Sequence, residues 1–184
     1  MKYMVISQPK AGTYLCANLL ETLGLKFSGV HIDPGMYRIF YNNNPLDYDK
    51  HDVGLDRALS VVPEGQFGVG HIPCTEENKL FLQDTKKILI TRGKKGIQDS
   101  AKRYKKEKHV GVDHIINDNN LALIKLWQDE DLTFHITFSD IIQENAKKID
   151  NLQTFLFGEV RTNSDRAARV AKKKDSMTKS SIRD

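Results

Sequence analysis

The start of the chain has the pattern of a buried strand, a tight turn and an amphipathic helix. Residues 3–6 are apolar, the run ends before Pro9, and apolar residues at helical spacing begin at Leu15. A turn that leads from a strand into a helix exposes backbone N–H groups and the positive end of the helix dipole. The segment therefore predicts an anion-binding turn between Pro9 and Thr13, to which Lys10 adds a positive charge.

Short apolar segments and amphipathic helices alternate along the rest of the chain. Strands are predicted at residues 1–7, 67–72, 87–91 and 132–138. Helices are predicted at residues 15–23, after Gly96, at 115–127 and from an N-cap at Ser139 to Gly158. Because strands that alternate with helices form a parallel sheet with both faces covered, we predict an α/β fold, a three-layer αβα sandwich with a central parallel sheet.

Two parts of the chain lack these patterns. Residues 30–50 have no clear period and are predicted to form irregular structure over the sheet edge. Apolar residues become sparse from Glu159, so residues 159–184 are predicted to be a polar C-terminal tail, disordered or folded onto a ligand. Residues 1–158 would then form the one folded domain, which is long enough to bury a core.

Composition argues against several classes of protein. No apolar run approaches the ~20 residues of a membrane span, and the chain begins without a signal-peptide pattern. Cys16 and Cys74 offer neither a disulfide framework nor the spacing of metal ligands. We therefore expect a cytoplasmic protein that has no membrane partner.

Positive charge is concentrated in two clusters, although the net charge is only +4. One cluster contains Lys102, Arg103, Lys105, Lys106 and Lys108, and the other is residues 172–174. Solvated helix faces explain both clusters more simply than anion binding does. Because the first cluster has only Tyr104 as an aromatic residue on which a base could stack, we expect no nucleic-acid partner.

Ligands of parallel α/β sheets bind beyond the carboxyl ends of the strands, so the residues that follow the predicted strands are the candidates for function. Gly12 lets an anion approach the backbone closely, and Lys10 and Thr13 add a charge and a hydroxyl group. Arg92 ends a strand, and Ser100 follows eight residues later. This second pair suits a phosphate group, because a guanidinium binds phosphate oxygens in bidentate fashion.

His71 is a candidate proton acceptor at the same end of the sheet. An imidazole has an unperturbed pKa of about 6.5 and can take a proton from a hydroxyl group near neutral pH. The remaining histidines have no such placement and receive no role: His31, His51, His109, His114 and His135. Taken one at a time, the candidates also fit an ordinary strand–helix turn, a surface arginine and a structural histidine.

Together, the candidate residues resemble the cytosolic-type sulfotransferase family, which transfers a sulfo group from 3′-phosphoadenosine 5′-phosphosulfate (PAPS). The resemblance covers most of the chain, in the order and spacing of that family. It rests on residues 9–13 (Pro-Lys-Ala-Gly-Thr), 70–73 (Gly-His-Ile-Pro), 87–92 (Lys-Ile-Leu-Ile-Thr-Arg) with Ser100, 138–141 (Phe-Ser-Asp-Ile), 155–158 (Phe-Leu-Phe-Gly) and 176–180 (Ser-Met-Thr-Lys-Ser). It implies a P-loop-NTPase-like sulfotransferase fold, PAPS as the donor, adenosine 3′,5′-bisphosphate (PAP) as its product and no metal requirement.

The resemblance also implies a role for each candidate. The turn would hold the 5′-phosphosulfate, at Lys10, Ala11, Gly12, Thr13 and Tyr14. Arg92 and Ser100 would hold the 3′-phosphate, and Lys179 would close over it from the tail. His71 would be the general base toward a hydroxyl or amine of a small-molecule or glycan acceptor, while Lys10 would stabilise the departing phosphate.

Two other functions stay open at the level of sequence. A small-molecule P-loop kinase would use ATP and Mg²⁺, but the chain lacks Gly-x-x-x-x-Gly-Lys-[Ser/Thr], and the lysine of its turn precedes the glycine. A non-catalytic nucleotide-binding protein would keep the fold without turnover. Relative affinity for PAP and ATP separates the kinase from the sulfotransferase, and the absence of transfer to any acceptor would indicate the non-catalytic protein.

Overall fold

The apolar strands predicted from the sequence form the centre of one sheet in the structure, a computed structural model. The structure describes residues 1–33, 36–39, 51–52, 54–108 and 116–181. Its strands are β1 (Tyr3–Ser7), β2 (Lys26–Asp33), β3 (Met36–Ile39), β4 (His51–Asp52), β5 (Gln66–Gly70), β6 (Lys86–Thr91) and β7 (Thr133–Thr137). Its helices are α1 (Thr13–Thr22), α2 (Leu55–Ser60), α3 (Glu76–Phe81), α4 (Lys94–Lys108), α5 (Asp118–Lys125) followed by a 3₁₀ turn (Leu126–Asp129), α6 (Phe138–Ile142), α7 (Ala146–Phe157) and α8 (Ser164–Ser181).

The sheet has the strand order β4-β3-β2-β5-β1-β6-β7. Strands β2, β5, β1, β6 and β7 are parallel, whereas β3 and β4 are antiparallel at one edge. Strand β1 pairs with β5 on one side and with β6 on the other, so that Ile6 lies opposite both Gly70 and Leu89. The carboxyl end of β1 therefore lies between those of β5 and β6. The predicted α/β fold with a central parallel sheet is confirmed.

Both faces of the central strands are buried, which explains why these strands are continuous apolar runs. In β1, Val5 packs in a core cluster with residues of α1, α7 and α8. Met4 and Ile6 pack in a second cluster, with residues of α2 and α5 and with Trp127. Because successive side chains of a strand point to opposite faces, the two clusters are the two sides of the sheet. The helices on each side complete the three layers.

Helix α8 occupies most of the segment that composition predicts to be a polar tail. Its residues Ala167, Ala168 and Ala171 are buried in the core, and the helix packs against α1. The charged residues around this alanine stripe make the segment polar on average and conceal its buried face. Lys179 belongs to α8, but its side chain lies outside the described part of the structure, so its contact with a nucleotide stays a prediction. No helix in the described ranges is both long and apolar enough to cross a bilayer.

The helix that the sequence predicts to begin at Ser139 is in fact two helices, and its N-cap is Thr137. The Thr137 hydroxyl accepts a hydrogen bond from the N–H of Asp140 (3.1 Å), and the Asp140 carboxylate accepts one from the Thr137 N–H (2.8 Å). This capping box starts α6 at Phe138, and a second cap at Asn145 starts α7. The prediction of Ser139 as the N-cap was wrong, because the reciprocal pair is a better cap than one serine.

The edge of the sheet is more regular than the sequence predicts. Strand β2 extends to Asp33 and β3 follows, so the described part of residues 30–50 is not irregular. Residues 40–50 lie outside the described ranges. A bulge between Phe27 and His31, with Gly29 at a φ of 81°, breaks the alternation of β2. That break restricts the alternation of apolar and polar residues to positions 30–33, a run too short to indicate the whole strand.

Candidate active site

The turn between β1 and α1 has the backbone of an anion site. The Ala11 N–H donates to the Gln8 carbonyl (3.0 Å), and the Cys16 N–H donates to the Gly12 carbonyl (3.0 Å), which closes the first turn of α1. Gly12 is the N-cap and has no side chain to occupy the N–H groups that follow it. These groups, together with the dipole of a ten-residue helix, favour a negative charge beyond the turn.

Two residues of the turn have left-handed backbone conformations. Gly12 has a φ of 106°, and a Cβ at this position would lie 2.7 Å from Cδ2 of Phe138, so only glycine fits. Lys10 has a φ of 62°, a conformation that is uncommon for a side chain of its size. Such strain is concentrated at functional sites in proteins. The turn thus holds Lys10 in an unfavourable conformation beside a helix N-terminus that has no side-chain cap.

The ammonium group of Lys10 contacts the ring of Tyr104, from α4, with Nζ 3.2 Å from the ring centroid. An aromatic face attracts a cation through its quadrupole. Burial lowers the pKa of Lys10 to about 8. The lysine is therefore still mainly charged at neutral pH, and it is held beside the turn rather than extended into solvent.

His71 is joined to the same turn through Ser7. Its Nδ1 lies 2.8 Å from the Ser7 carbonyl oxygen and 3.1 Å from the Ser7 hydroxyl, which in turn lies 2.7 Å from the Thr13 hydroxyl. Because a carbonyl oxygen can only accept, Nδ1 carries the proton and Nε2 carries the lone pair. Burial, with the charge of His31 adding to it, lowers the pKa of His71 to about 4, so the ring is neutral at pH 7.

Arg92 lies on the other side of the turn. Its Nη1 donates a long hydrogen bond to the Lys10 carbonyl (3.5 Å), and its guanidinium carbon lies 3.9 Å from the centroid of the Phe138 ring. A Cβ at Gly96 would lie 2.6 Å from the Arg92 Nε, so the glycine in the first turn of α4 makes room for this side chain. Burial, followed by the neighbouring charge of Arg103, lowers the pKa of Arg92.

The structure thus brings three predicted residues, Lys10, His71 and Arg92, to the turn that follows β1. Tyr14, another predicted residue, is half exposed, and its hydroxyl lies 3.0 Å from the His31 Nδ1. Ser100 is half-buried in α4. The contribution of Ser100 to binding stays a prediction, as do the roles of the other site residues.

Sequence reasoning missed two polar residues beside His71. His31 receives no role above, yet its ring centroid lies 5.4 Å from that of His71 and its Nε2 lies 3.4 Å from a carboxylate oxygen of Asp33. Both residues are on β2, whose Ile32 pairs with Gly70 at the end of β5. The alternation of apolar and polar residues at 30–33 is the signal that could have found them, since it places His31 and Asp33 on one face of a strand.

Comparisons with known proteins point to one fold. No family model matches the chain, and no curated protein matches it. Among solved structures, it is similar to mouse sulfotransferase SULT7A1 complexed with PAP, with a TM-score of 0.62 at 15% sequence identity. The likeness covers 93% of this chain and 63% of that chain, so this chain spans less than two thirds of that sulfotransferase. The protein therefore has the fold of the sulfotransferases, as its sequence motifs predict.

Proposed function

We propose that the protein transfers a sulfo group from PAPS to a hydroxyl or amine of a small-molecule or glycan acceptor. One observation carries the proposal: His71 is linked to the turn after β1 through Ser7, and Arg92 is linked to the same turn through the Lys10 carbonyl. Similarity to a sulfotransferase complexed with PAP supports the choice of nucleotide. The turn and the arginine supply separate positive groups, which suits a nucleotide with phosphates at two positions.

In this proposal the turn binds the 5′-phosphosulfate. Lys10 and the N–H groups at the start of α1 contact the bridging oxygen between sulfur and phosphorus. Arg92 binds the 3′-phosphate, with Ser100 as a further donor. The ring of Phe138 supports one face of the guanidinium, which leaves its N–H edge for two phosphate oxygens.

His71 takes the proton of the acceptor. Its Nε2 lone pair accepts the proton as the acceptor oxygen or nitrogen bonds to sulfur, and the bond from sulfur to the bridging oxygen breaks. The electron pair of that bond leaves with PAP, whose new negative charge is stabilised by Lys10. Burial makes the imidazole a weak base, because it lowers the pKa of His71. A nearby anionic donor favours the protonated ring and so raises its pKa during the reaction.

Calorimetric titration with PAP and with ATP plus Mg²⁺ tests nucleotide binding. We expect tighter binding of PAP than of ATP, and weaker binding of PAP by Arg92→Ala. The matched control is Lys95→Ala, which removes an exposed cation at the start of α4. Preference for ATP with Mg²⁺ would support the kinase instead.

Transfer itself is tested with PAPS and a panel of phenols, alcohols, amines and glycans. We expect turnover with at least one acceptor and its near-complete loss in His71→Ala. Tight binding of PAP without transfer to any acceptor, water included, would indicate a non-catalytic nucleotide-binding protein. Wild-type turnover by His71→Ala would exclude His71 as the general base.

A further inference from the structure

Beside the turn, three side chains of a kind that binds metal ions come together. One ring nitrogen each of His31 and His71 and one carboxylate oxygen of Asp33 all lie within 4.8 Å of one another. Two imidazoles and a carboxylate form a donor set that suits divalent transition metals and leaves an open position on the ion. We propose that His31, Asp33 and His71 bind a divalent transition-metal ion of the zinc type.

Strand pairing sets this arrangement. His31 and Asp33 are two residues apart on β2, so their side chains share a face of the strand. The N–H of His71 donates to the carbonyl of Ile32 (2.9 Å), which places the second histidine beside the residue between the first two ligands. The backbone of two adjacent parallel strands therefore fixes all three positions.

The distances are close to those of a tetrahedral site. Bonds of about 2.1 Å to zinc place the ligand atoms of a tetrahedron about 3.4 Å apart. The His31 Nε2 and the Asp33 Oδ1 are already 3.4 Å apart. A ligand atom of His71 lies within 4.8 Å of a ligand atom of each of the other two residues, so side-chain movements of at most about 1.5 Å would bring the set to these distances.

The second ring nitrogen of each histidine is held in the way that metal ligands require. The Nδ1 of His71 donates to the Ser7 carbonyl (2.8 Å), and the Nδ1 of His31 lies 3.0 Å from the Tyr14 hydroxyl. Hydrogen bonds of this kind fix the tautomer and the orientation of metal-binding imidazoles. His31 is only 9% exposed, so a metal ion at this site would be largely shielded from water.

The 3.4 Å distance between the His31 Nε2 and the Asp33 Oδ1 would also fit an ion pair without a metal ion. In that alternative the Nε2 carries a proton that faces the carboxylate. The two alternatives differ in their response to zinc, which a titration measures directly.

Metal binding at this site would have a consequence for the reaction. The ion would occupy the Nε2 lone pair of His71, which the proposed transfer needs as its base. Zinc is therefore expected to inhibit transfer and is not required for it. This consequence rests on the proposed function, whereas the binding of metal does not.

The test is a calorimetric titration of the metal-free protein with Zn²⁺, without nucleotide or acceptor. We expect one ion per chain for the wild type and for His135→Gln, the control, whose histidine on β7 contacts Thr91 instead. Tyr14→Phe should weaken binding about 10-fold, as expected for the loss of a hydrogen bond to a ligand. Asp33→Asn and His31→Gln should weaken it further, by at least about 100-fold.

Titration of the wild-type protein with Co²⁺ provides a second measurement of metal binding, which requires no variant. Visible absorption of wild-type protein titrated with Co²⁺ should show the intense bands of four-coordinate cobalt. Thermal unfolding without metal establishes that each variant is folded. An unchanged Zn²⁺ affinity in folded Asp33→Asn and His31→Gln, or no binding and no such bands with the wild type, would overturn the proposal. If the protein binds zinc but its metal-free form transfers no sulfo group to any acceptor, the proposed function is refuted and the metal site stands.

Discussion

The turn after β1 and the carboxyl end of β2 both contact His71, but they offer opposite chemistry. The turn supplies N–H groups and the Lys10 ammonium, which favour an anion. The end of β2 supplies His31 and the Asp33 carboxylate, which favour a cation. The turn is contiguous in sequence, whereas the end of β2 reaches His71 only through strand pairing. His71 thus lies between the proposed anion site, whose turn is one short segment of sequence, and the proposed metal site, whose ligands only strand pairing brings together.

The largest expected effect tests whether the turn carries the chemistry. Lys10→Ala should reduce kcat with PAPS by on the order of 10²–10³, because it removes the charge that we propose stabilises the departing phosphate. Steady-state kinetics with PAPS as the varied substrate measures the change. Lys95→Ala removes an exposed lysine at the start of α4 and should leave kcat close to that of the wild type. Equal losses in the two variants would mean that general positive charge, rather than the position of Lys10, matters.

A smaller effect is expected from Gly96→Ala, which mutates none of the predicted binding residues. The added methyl group would lie 2.6 Å from the Arg92 Nε and should displace the guanidinium from the Phe138 ring. Affinity for PAP should fall about tenfold, the lower end of the contribution of a hydrogen bond to a charged group. Helix propensity makes alanine more stable than glycine by up to about 1 kcal/mol, so stability should not fall with affinity.

Gly93→Ala is the matched control for this variant. A Cβ at Gly93 would have no atom within 4 Å, so affinity for PAP should stay within about twofold of the wild type in calorimetry. If Gly96→Ala bound PAP as tightly as Gly93→Ala, the position of Arg92 seen here would not be the one that binds nucleotide.

Local patterns explain which parts of the site the sequence could predict. The apolar run around Val5, the helical spacing that begins at Leu15 and the turn between them follow from neighbouring residues alone. Parallel pairing then brings the residues that follow β5 and β6 to the same end of the sheet, so His71 and Arg92 could be placed beside the turn. The fold class and the grouping of the ends of β1, β5 and β6 could therefore be predicted from the sequence.

The features that the sequence did not predict depend on contacts between distant segments of the chain. Strand β2 was missed because the bulge at Gly29 breaks its alternation, and with it the link between His31 and His71 was missed. The buried face of α8 was missed because alanines such as Ala168 carry little hydrophobic signal. The position of Tyr104 over Lys10 depends on how α4 packs, which no local pattern specifies.

The pH dependence of PAP binding tests whether the charge of Lys10 contributes to the proposed anion site. Burial lowers the pKa of Lys10 to about 8, so its charge is lost as pH rises from 7 to 9. Affinity for PAP should fall by up to about tenfold over this range. Lys10→Arg should abolish the dependence, because a guanidinium stays charged. The same decrease in Lys10→Arg would assign the titration to another group.

The same shift predicts the opposite trend for stability. Folding lowers the pKa of Lys10 from 10.5 to about 8, so the unfolded chain binds more protons between these values. Without nucleotide, the contribution of Lys10 to the free energy of unfolding should therefore become more favourable as pH rises through this window. Urea denaturation at about pH 7.5 and about pH 10 measures this contribution: between the two conditions, the free energy of unfolding of the wild type should rise relative to that of Lys10→Arg.

The smallest effect is expected at the N-cap of α6, the helix that begins with Phe138 beside Arg92. It distinguishes Thr137, the cap in the structure, from Ser139, the cap predicted from the sequence. Thr137→Ala removes the hydroxyl that accepts from the Asp140 N–H, and it should lower the free energy of unfolding by about 1 kcal/mol in urea denaturation. Ser139→Ala should change it far less. Because α6 begins at Phe138, whose ring contacts Arg92, a loosened cap should also weaken PAP binding slightly. An equal loss of stability in Ser139→Ala would mean that Ser139, rather than Thr137, caps α6. The proposed link between this cap and PAP binding would then be wrong.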